Sequence, residues 1–342
     1  MASSNSTDVL LRVSDLEVRF PAPSRFSKAR WIVPVNHVSL DLRRRETIAL
    51  VGESGSGKTT TGKALVRLLK PWGGQILYNG SDVARWSGRK LHQYHKSAQL
   101  IFQDPYGSLN PVHTVSQHLS LPLQLHQSQE PGTLSEKIES LLSRVGLVPV
   151  QEIRDKYPHE LSGGQRQRVA IARALAVNPE FMVADEPISM LDVSIRADIL
   201  HLLQNLQNDF GLSMVYITHD LASAYYIADR ILVMYGGIIV ESGDSGEIVK
   251  KPAHPYTQLL LAATPGSPVT GPLPETSTGA PNLLLDRQGC VFYERCPHAM
   301  ARCQVSQPQL KSIAARHDAA CYLYDDRPSE ALGPLQPLGR SD

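Results

Sequence analysis

Apolar and polar positions alternate through VLLRVSDLEVRF, residues 9–20, and predict a strand, because successive side chains of an extended chain face opposite sides. A continuous apolar run from Thr47 to Val51 predicts a second strand leading into a glycine-rich loop. A helical stretch from about Thr59 to Leu69 follows and stops at Lys70-Pro71, since proline cannot continue a helix. Gly73-Gly74 then turns the chain into a short strand near Gln75 to Tyr78. Between roughly 104 and 175 the periodicity is helical, broken by Pro/Gly loops. Apolar strands return at Phe181 to Ala184, Ser213 to Thr218 and Ile231 to Tyr235. Strands alternating with helices predict an α/β fold with a largely parallel, helix-covered sheet. Residues 265–281 are rich in Pro, Gly, Ser and Thr and read as a linker. No internal repeat is present, so one such core is expected.

Composition narrows the class. A chain of 342 residues, 42% of them hydrophobic, has room for one large domain with an extension or for two domains. Lys plus Arg number 34 against 33 Asp plus Glu, so no basic excess points to nucleic acid. The opening MASSNSTDVL lacks the charged-then-apolar layout of a secretory signal. No apolar run reaches the roughly eighteen residues needed to span a bilayer. The expectation is a soluble, cytosolic protein.

Three motifs carry chemistry. Gly52-Glu53-Ser54-Gly55-Ser56-Gly57-Lys58-Thr59 fits the P-loop pattern, follows a predicted strand and opens a predicted helix. Its glycines let backbone N–H groups turn toward phosphate oxygens, and the helix N-terminus favours the negative charge. Lys58 should reach the β- and γ-phosphates and the Thr59 hydroxyl should ligate Mg²⁺. A second motif is an apolar strand delivering Asp185-Glu186 to the C-terminal sheet edge, where ligands of open α/β folds bind. Asp185 suits the surroundings of Mg²⁺, and Glu186 a general base for water. The third, Leu161-Ser162-Gly163-Gly164-Gln165, sets a hydroxyl and glycines at another helix start, a second anion cradle. Taken singly, the three could be a Gly/Ser turn, a strand entering a solvated turn, and a Ser N-cap.

Together and in this order the motifs resemble the ATP-binding subunits of ABC transporters. The resemblance implies a P-loop NTPase cassette with a RecA-like core over 9–250, a helical subdomain at about 104–170, a disordered stretch at 1–8, and a cysteine-containing C-terminal extension over 251–342. It implies ATP held by Gly52, Ser54, Gly55, Ser56, Gly57, Lys58, Thr59 and Thr60, with Mg²⁺ on Thr59, Gln103 and Asp185. Phe20 would stack on adenine, with Trp31 the competing choice. Gln103 in IFQDP would contact Mg²⁺ and the attacking water, and His219 would hold the γ-phosphate and orient Glu186. Ser162, Gly163, Gly164 and Gln165, with Ser189 and Asp192 of the following loop, would serve ATP in a two-subunit sandwich. Met190 stands where the family usually has Ala.

QDPYGSLNP (103–111), KYPHELSGGQRQR (156–168), HPYTQLLLAATP (254–265) and GCVFYERCP (289–297) resemble the peptide-import branch of that family. That branch implies a heterodimer with a second homologous ATPase, two transmembrane permeases, an external solute-binding protein, and a peripheral position on the cytoplasmic face of the cell membrane. Short peptides are the expected solute. Glutathione, nickel chelates and D-amino-acid dipeptides are the alternatives. A translation ATPase would carry two cassettes. A repair or chromosome ATPase would insert a coiled coil, and none fits the roughly hundred residues between Lys58 and Ser162.

All four cysteines, Cys290, Cys296, Cys303 and Cys321, fall within one short stretch. A reducing compartment disfavours disulfides, which leaves free thiols, Zn²⁺ or an iron–sulfur cluster. The family resemblance of the tail implies a [4Fe–4S] cluster that staples a region with little core of its own.

Overall fold

The computed structural model describes residues 8–22, 31–126, 132–264, 283–284 and 288–325. Of the stretch 1–8 expected to be disordered, residues 1–7 lie outside them, as does the linker at 265–281. In chain order the strands are β1 (Val9–Pro21), β2 (Trp31–Arg43), β3 (Thr47–Val51), β4 (Gly73–Tyr78), β5 (Ser81–Asp82), β6 (Ala98–Ile101), β7 (Phe181–Asp185), β8 (Ser213–Thr218), β9 (Arg230–Tyr235), β10 (Ile238–Asp244), β11 (Lys311–Ala314) and β12 (His317–Ala319). The chain divides into two compact units, one of residues 1–42, 47–84 and 218–342, the other of 43–46 and 85–217.

In the first unit β2, β1, β4 and β5 form one sheet in that order. The pairing of β1 with β4 is antiparallel and shifts register between Ser14 and Glu17, where Asp15 takes a left-handed φ of 50°. This bulge interrupts the alternation that announced the strand. A second set runs β11-β12-β10-β9-β3. Here β3 lies parallel to β9, with Ile48 opposite Arg230 and Val51 opposite Val233, while β9 turns antiparallel into β10 through Gly236-Gly237. Every residue of β3 is buried, as its unbroken apolar run requires. The helix after it covers Lys58–Leu65, shorter than the pattern predicts. Arg67 adopts φ 59° and its guanidinium donates to the Val83 carbonyl at 2.9 Å, so a side-chain anchor ends the helix before the proline does.

The C-terminal part of this unit has a framework of its own. Glu241 on β10 is fully buried. Its carboxylate accepts the Ala253 and His254 N–H groups at 2.8 Å each and meets His317 Nε2 at 2.7 Å. One side chain therefore ties β10 to the start of the helix Pro255–Ala262 and to β12. Ala253, Ile313 and Ala319 form a small core with Tyr324 packed against it.

In the second unit β6, β7 and β8 are parallel, Ala98 opposite Phe181 and Phe181 opposite Ser213. β7 and β8 are buried throughout, which explains why they read as continuous apolar runs. The helices Val115–Leu125 and Leu134–Arg144 start at Thr114 and Thr133, each closing a capping box with Gln117 or Glu136. Among the described residues no helix is long and apolar enough to cross a membrane.

Candidate nucleotide site

In the first unit, residues 52–59 leave β3 and enter the helix Lys58–Leu65. Gly55 and Gly57 sit at φ 79° and 108°. A Cβ at Gly57 would lie 1.9 Å from the Pro34 carbonyl oxygen, and one at Gly52 would lie 2.1 Å from that of Met234. Glycine is thus required by the loop's approach to neighbouring backbone as well as by φ. Ser54 and Gly55 are exposed, whereas Ser56, Gly57 and Lys58 are buried. Lys58 Nζ donates to the Gly52 and Glu53 carbonyls at 2.7 and 2.8 Å, so the ammonium is folded over its own loop. The Ser56 hydroxyl is buried without a hydrogen-bond partner. A phosphate would supply such partners, and the donor set fits one. Thr59 and Thr60 are half-buried on the first turn of the helix.

Phe20 lies near the end of β1, 39% exposed. Trp31, the other aromatic candidate, is packed on Trp72 with ring centroids 4.8 Å apart. His219 is exposed immediately after β8. Asp220, next to it, accepts the Ala222 and Ser223 N–H groups at the start of the helix Leu221–Ile227.

In the second unit, β7 ends at Asp185, which is buried, and the chain reverses at Glu186 with a left-handed φ of 44°. That conformation is costly for a residue with a side chain and is held by its surroundings. Glu186 N–H donates to Ile217 O at 2.9 Å, while its carbonyl accepts both the N–H and the hydroxyl of Ser189, at 3.2 and 3.0 Å. Gln103, placed after β6, donates from Nε2 to Glu186 Oε2 at 3.0 Å. Asp192 is the N-cap residue of the helix Val193–Phe210.

Ser162 caps the helix Gly163–Leu175 in a reciprocal box: Gln165 N–H reaches the Ser162 hydroxyl at 3.2 Å, and Ser162 N–H reaches Gln165 Oε1 at 3.0 Å. Gly164 has a packing reason, since a Cβ there would stand 2.7 Å from Ile195 Cγ2. Arg166 holds the Leu161 carbonyl and spreads its guanidinium 3.7 Å from the Tyr106 ring centroid.

With the loop, the carboxylates and the capped glycine motif described, comparison with known proteins decides the family. The ABC transporter family model matches residues 35–189, and the model for the oligopeptide/dipeptide transporter C-terminal region matches 240–303. The oligopeptide transport ATP-binding protein AppF of Bacillus subtilis (strain 168) is 41% identical over 331 residues, covering 95% of this chain and all of AppF. The chain belongs to the oligopeptide/dipeptide branch of the ABC transporter ATP-binding family. The dipeptide transport ATP-binding protein DppF of Escherichia coli (strain K12) is likewise 41% identical, over 92% of this chain and 95% of its own. Among solved structures, the ATP-binding cassette MJ0796, a dimer in a post-hydrolysis state bound to ADP and Pi, superposes with a TM-score of 0.61. It is 26% identical and covers 69% of this chain. As a member of this ABC family the chain is an ATPase that binds ATP with Mg²⁺.

The family tail carries one correction. Among the described residues, which include all four cysteines, no group of three or more His, Cys, Asp or Glu side chains is arranged to hold a metal ion. The expected [4Fe–4S] cluster, and zinc in its place, are therefore not supported by this ABC transporter ATPase. The thiols do share a neighbourhood, and their mutual charge is a secondary cause of raised pKa values. Burial is the main cause, pushing Cys290 up to about 11 and Cys321 to about 12, with Cys296 raised as well. The Glu241 anchor and the Ile313 cluster hold residues 313–324 of the tail against β10 and Ala253.

Proposed function

We propose that this ATPase energises uptake of short peptides, working with two membrane permeases, an external solute-binding protein and a second homologous ATPase, at the cytoplasmic face of the cell membrane. The observation that carries the reading is the presence in one chain of an ABC cassette and the oligopeptide/dipeptide C-terminal region. The names of the relatives, oligopeptide and dipeptide transport proteins aligned over nearly their whole length, support the solute class.

Within the cassette, residues 52–60 cradle the phosphates, Lys58 supplies the charge nearest the γ-phosphate, and Thr59, Gln103 and Asp185 ligate Mg²⁺ directly or through water. Phe20 stacks on adenine. Glu186 acts as general base on the attacking water, oriented by Gln103 and His219. Mg²⁺ held there would supply positive charge to offset that developing on the transferred phosphoryl group. Ser162, Gly163, Gly164, Gln165, Ser189 and Asp192 face the nucleotide of the partner ATPase. Tyr106 to Pro111 form part of the surface that receives a cytoplasmic helix of a permease, with Gln103 just upstream transmitting closure.

Purification of the full chain from native membranes tests this directly. Two permeases and a second ATPase are expected with it, and uptake of labelled di- and oligopeptides is expected to be abolished by Lys58→Ala. Undiminished peptide uptake in that variant, or ribosomes or DNA as the recovered partner, would overturn the reading.

A further inference from the structure

Glu53, the second residue of the phosphate loop, has a partner on each of its polar groups. Its carbonyl accepts Lys58 Nζ at 2.8 Å and the Ser56 N–H at 3.2 Å. Its N–H donates to the Tyr256 hydroxyl at 2.7 Å. Its carboxylate receives both terminal nitrogens of Arg295, Nη1 at 2.7 Å and Nη2 at 2.9 Å. Two of these partners, Tyr256 and Arg295, come from the C-terminal region some two hundred residues onward.

Both are themselves held in place. Tyr256 is fully buried in the helix Pro255–Ala262, whose N-cap is the His254 imidazole, and the backbone N–H of His254 is fastened to Glu241. Arg295 ends a short 3₁₀ turn, Tyr293–Arg295. Its guanidinium lies 5.6 Å from the Tyr235 ring centroid and 5.9 Å from that of Phe292, and those two rings meet edge to face at 5.2 Å. Arg295 Nε is buried without a partner, so its polar contacts run through the terminal nitrogens, chiefly to Glu53. The pair is mostly shielded, with side-chain exposures of 17% for Arg295 and 35% for Glu53, and a bidentate geometry of this kind is the strong form of an ion pair.

A carboxylate in a phosphate-binding loop is an electrostatic liability, because it repels the anion the loop must hold. Arg295 cancels that charge and fixes the residue whose carbonyl anchors Lys58. We propose that Arg295 is a positioning residue for ATP: through Glu53 the C-terminal region sets the charge and the shape of the phosphate loop, so nucleotide affinity depends on a part of the chain outside the cassette. The inference rests on the assignment of residues 52–59 as the ATP loop and is independent of which solute is carried.

The test is ATP affinity of the full-length protein, measured by titration with a fluorescent ATP analogue and checked by KM against kcat. Arg295→Ala is expected to weaken binding roughly fivefold to tenfold, as loss of a shielded bidentate pair implies, with the change in KM rather than kcat. Adding Glu53→Gln to Arg295→Ala removes the exposed charge and should recover most of the affinity, a rescue that mere loosening of the tail would not produce. Affinity within about twofold of the parent in Arg295→Ala, or no recovery in the double variant, would overturn the proposal. Should Arg295→Ala fail to fold, Arg295→Lys keeps the charge and loses the fork; an intermediate loss supports the proposal and none overturns it. Lys58→Ala separates the two readings. If it retains ATP affinity the loop assignment itself fails, whereas loss there without loss in Arg295→Ala removes only the coupling.

Discussion

Gln103 and Glu186, 83 positions apart, meet through a 3.0 Å hydrogen bond from the Gln103 amide to the Glu186 carboxylate. In the general-base role proposed for Glu186 the carboxylate must be aimed as well as basic, and this contact, with the Ser189 contacts that hold the Glu186 backbone, would aim it. Glu186→Gln should bind ATP with unchanged affinity and lose at least about a hundredfold in turnover, because an amide cannot take the water's proton. Gln103→Ala should lose less, roughly tenfold in kcat, the value of one charge-assisted hydrogen bond. Phosphate release by the assembled transporter checks both. Turnover near the parent value in Glu186→Gln would remove Glu186 from the base role.

Tyr106 is 57% exposed yet oriented by the Arg166 guanidinium over its ring. Such a side chain is a preorganised contact, since its ordering entropy is already spent before a partner arrives. A photo-cross-linking residue at position 106 is expected to capture a permease in the intact complex. Cross-links that stay within the ATPase subunits would count against docking there.

His254 should make the C-terminal region acid-sensitive. Burial lowers its pKa from 6.5 to about 3, and the neutral ring serves as acceptor for Tyr256 N–H at 3.1 Å. The unfolded chain therefore binds a proton more readily than the folded one between these values. This contribution to stability is complete above pH 6.5 and is lost as pH falls toward 3. His254→Asn keeps a capping acceptor that does not titrate, and should flatten the fall in Tm between pH 7 and 4. An unchanged slope would show that other groups dominate acid unfolding.

The cysteine tail makes a chemical prediction. With Cys290 at about 11 and Cys321 at about 12, alkylation by iodoacetamide at pH 8 should be slower in the folded protein than in denaturant, roughly a hundredfold at Cys290 and about a thousandfold at Cys321. Peptide mass spectrometry with time resolves the sites. Equal rates in both states would show that burial does not control these thiols.

The order of residues alone determined the nucleotide chemistry. The glycine spacing of 52–59, the apolar run before Asp185-Glu186 and the LSGGQ stretch depend on local backbone conformation and strand burial, both of which short windows encode. The strands at β3, β7 and β8 were legible for the same reason, each being buried along its whole length. β2, β6 and β10 were not: β2 interleaves buried with exposed positions, β6 has four residues, and β10 carries the polar Glu241, Ser242 and Asp244 within its length. The family resemblance of the tail misled at the four cysteines. Whether thiols converge on a metal is set by how the tail packs, and neither the Glu241 anchor nor the Ile313 cluster leaves a mark in the cysteine pattern. Glu53 passed as one variable letter of a motif. Only the fold brought Tyr256 and Arg295 to it, because a salt bridge spanning 242 positions follows from tertiary packing and has no local signature.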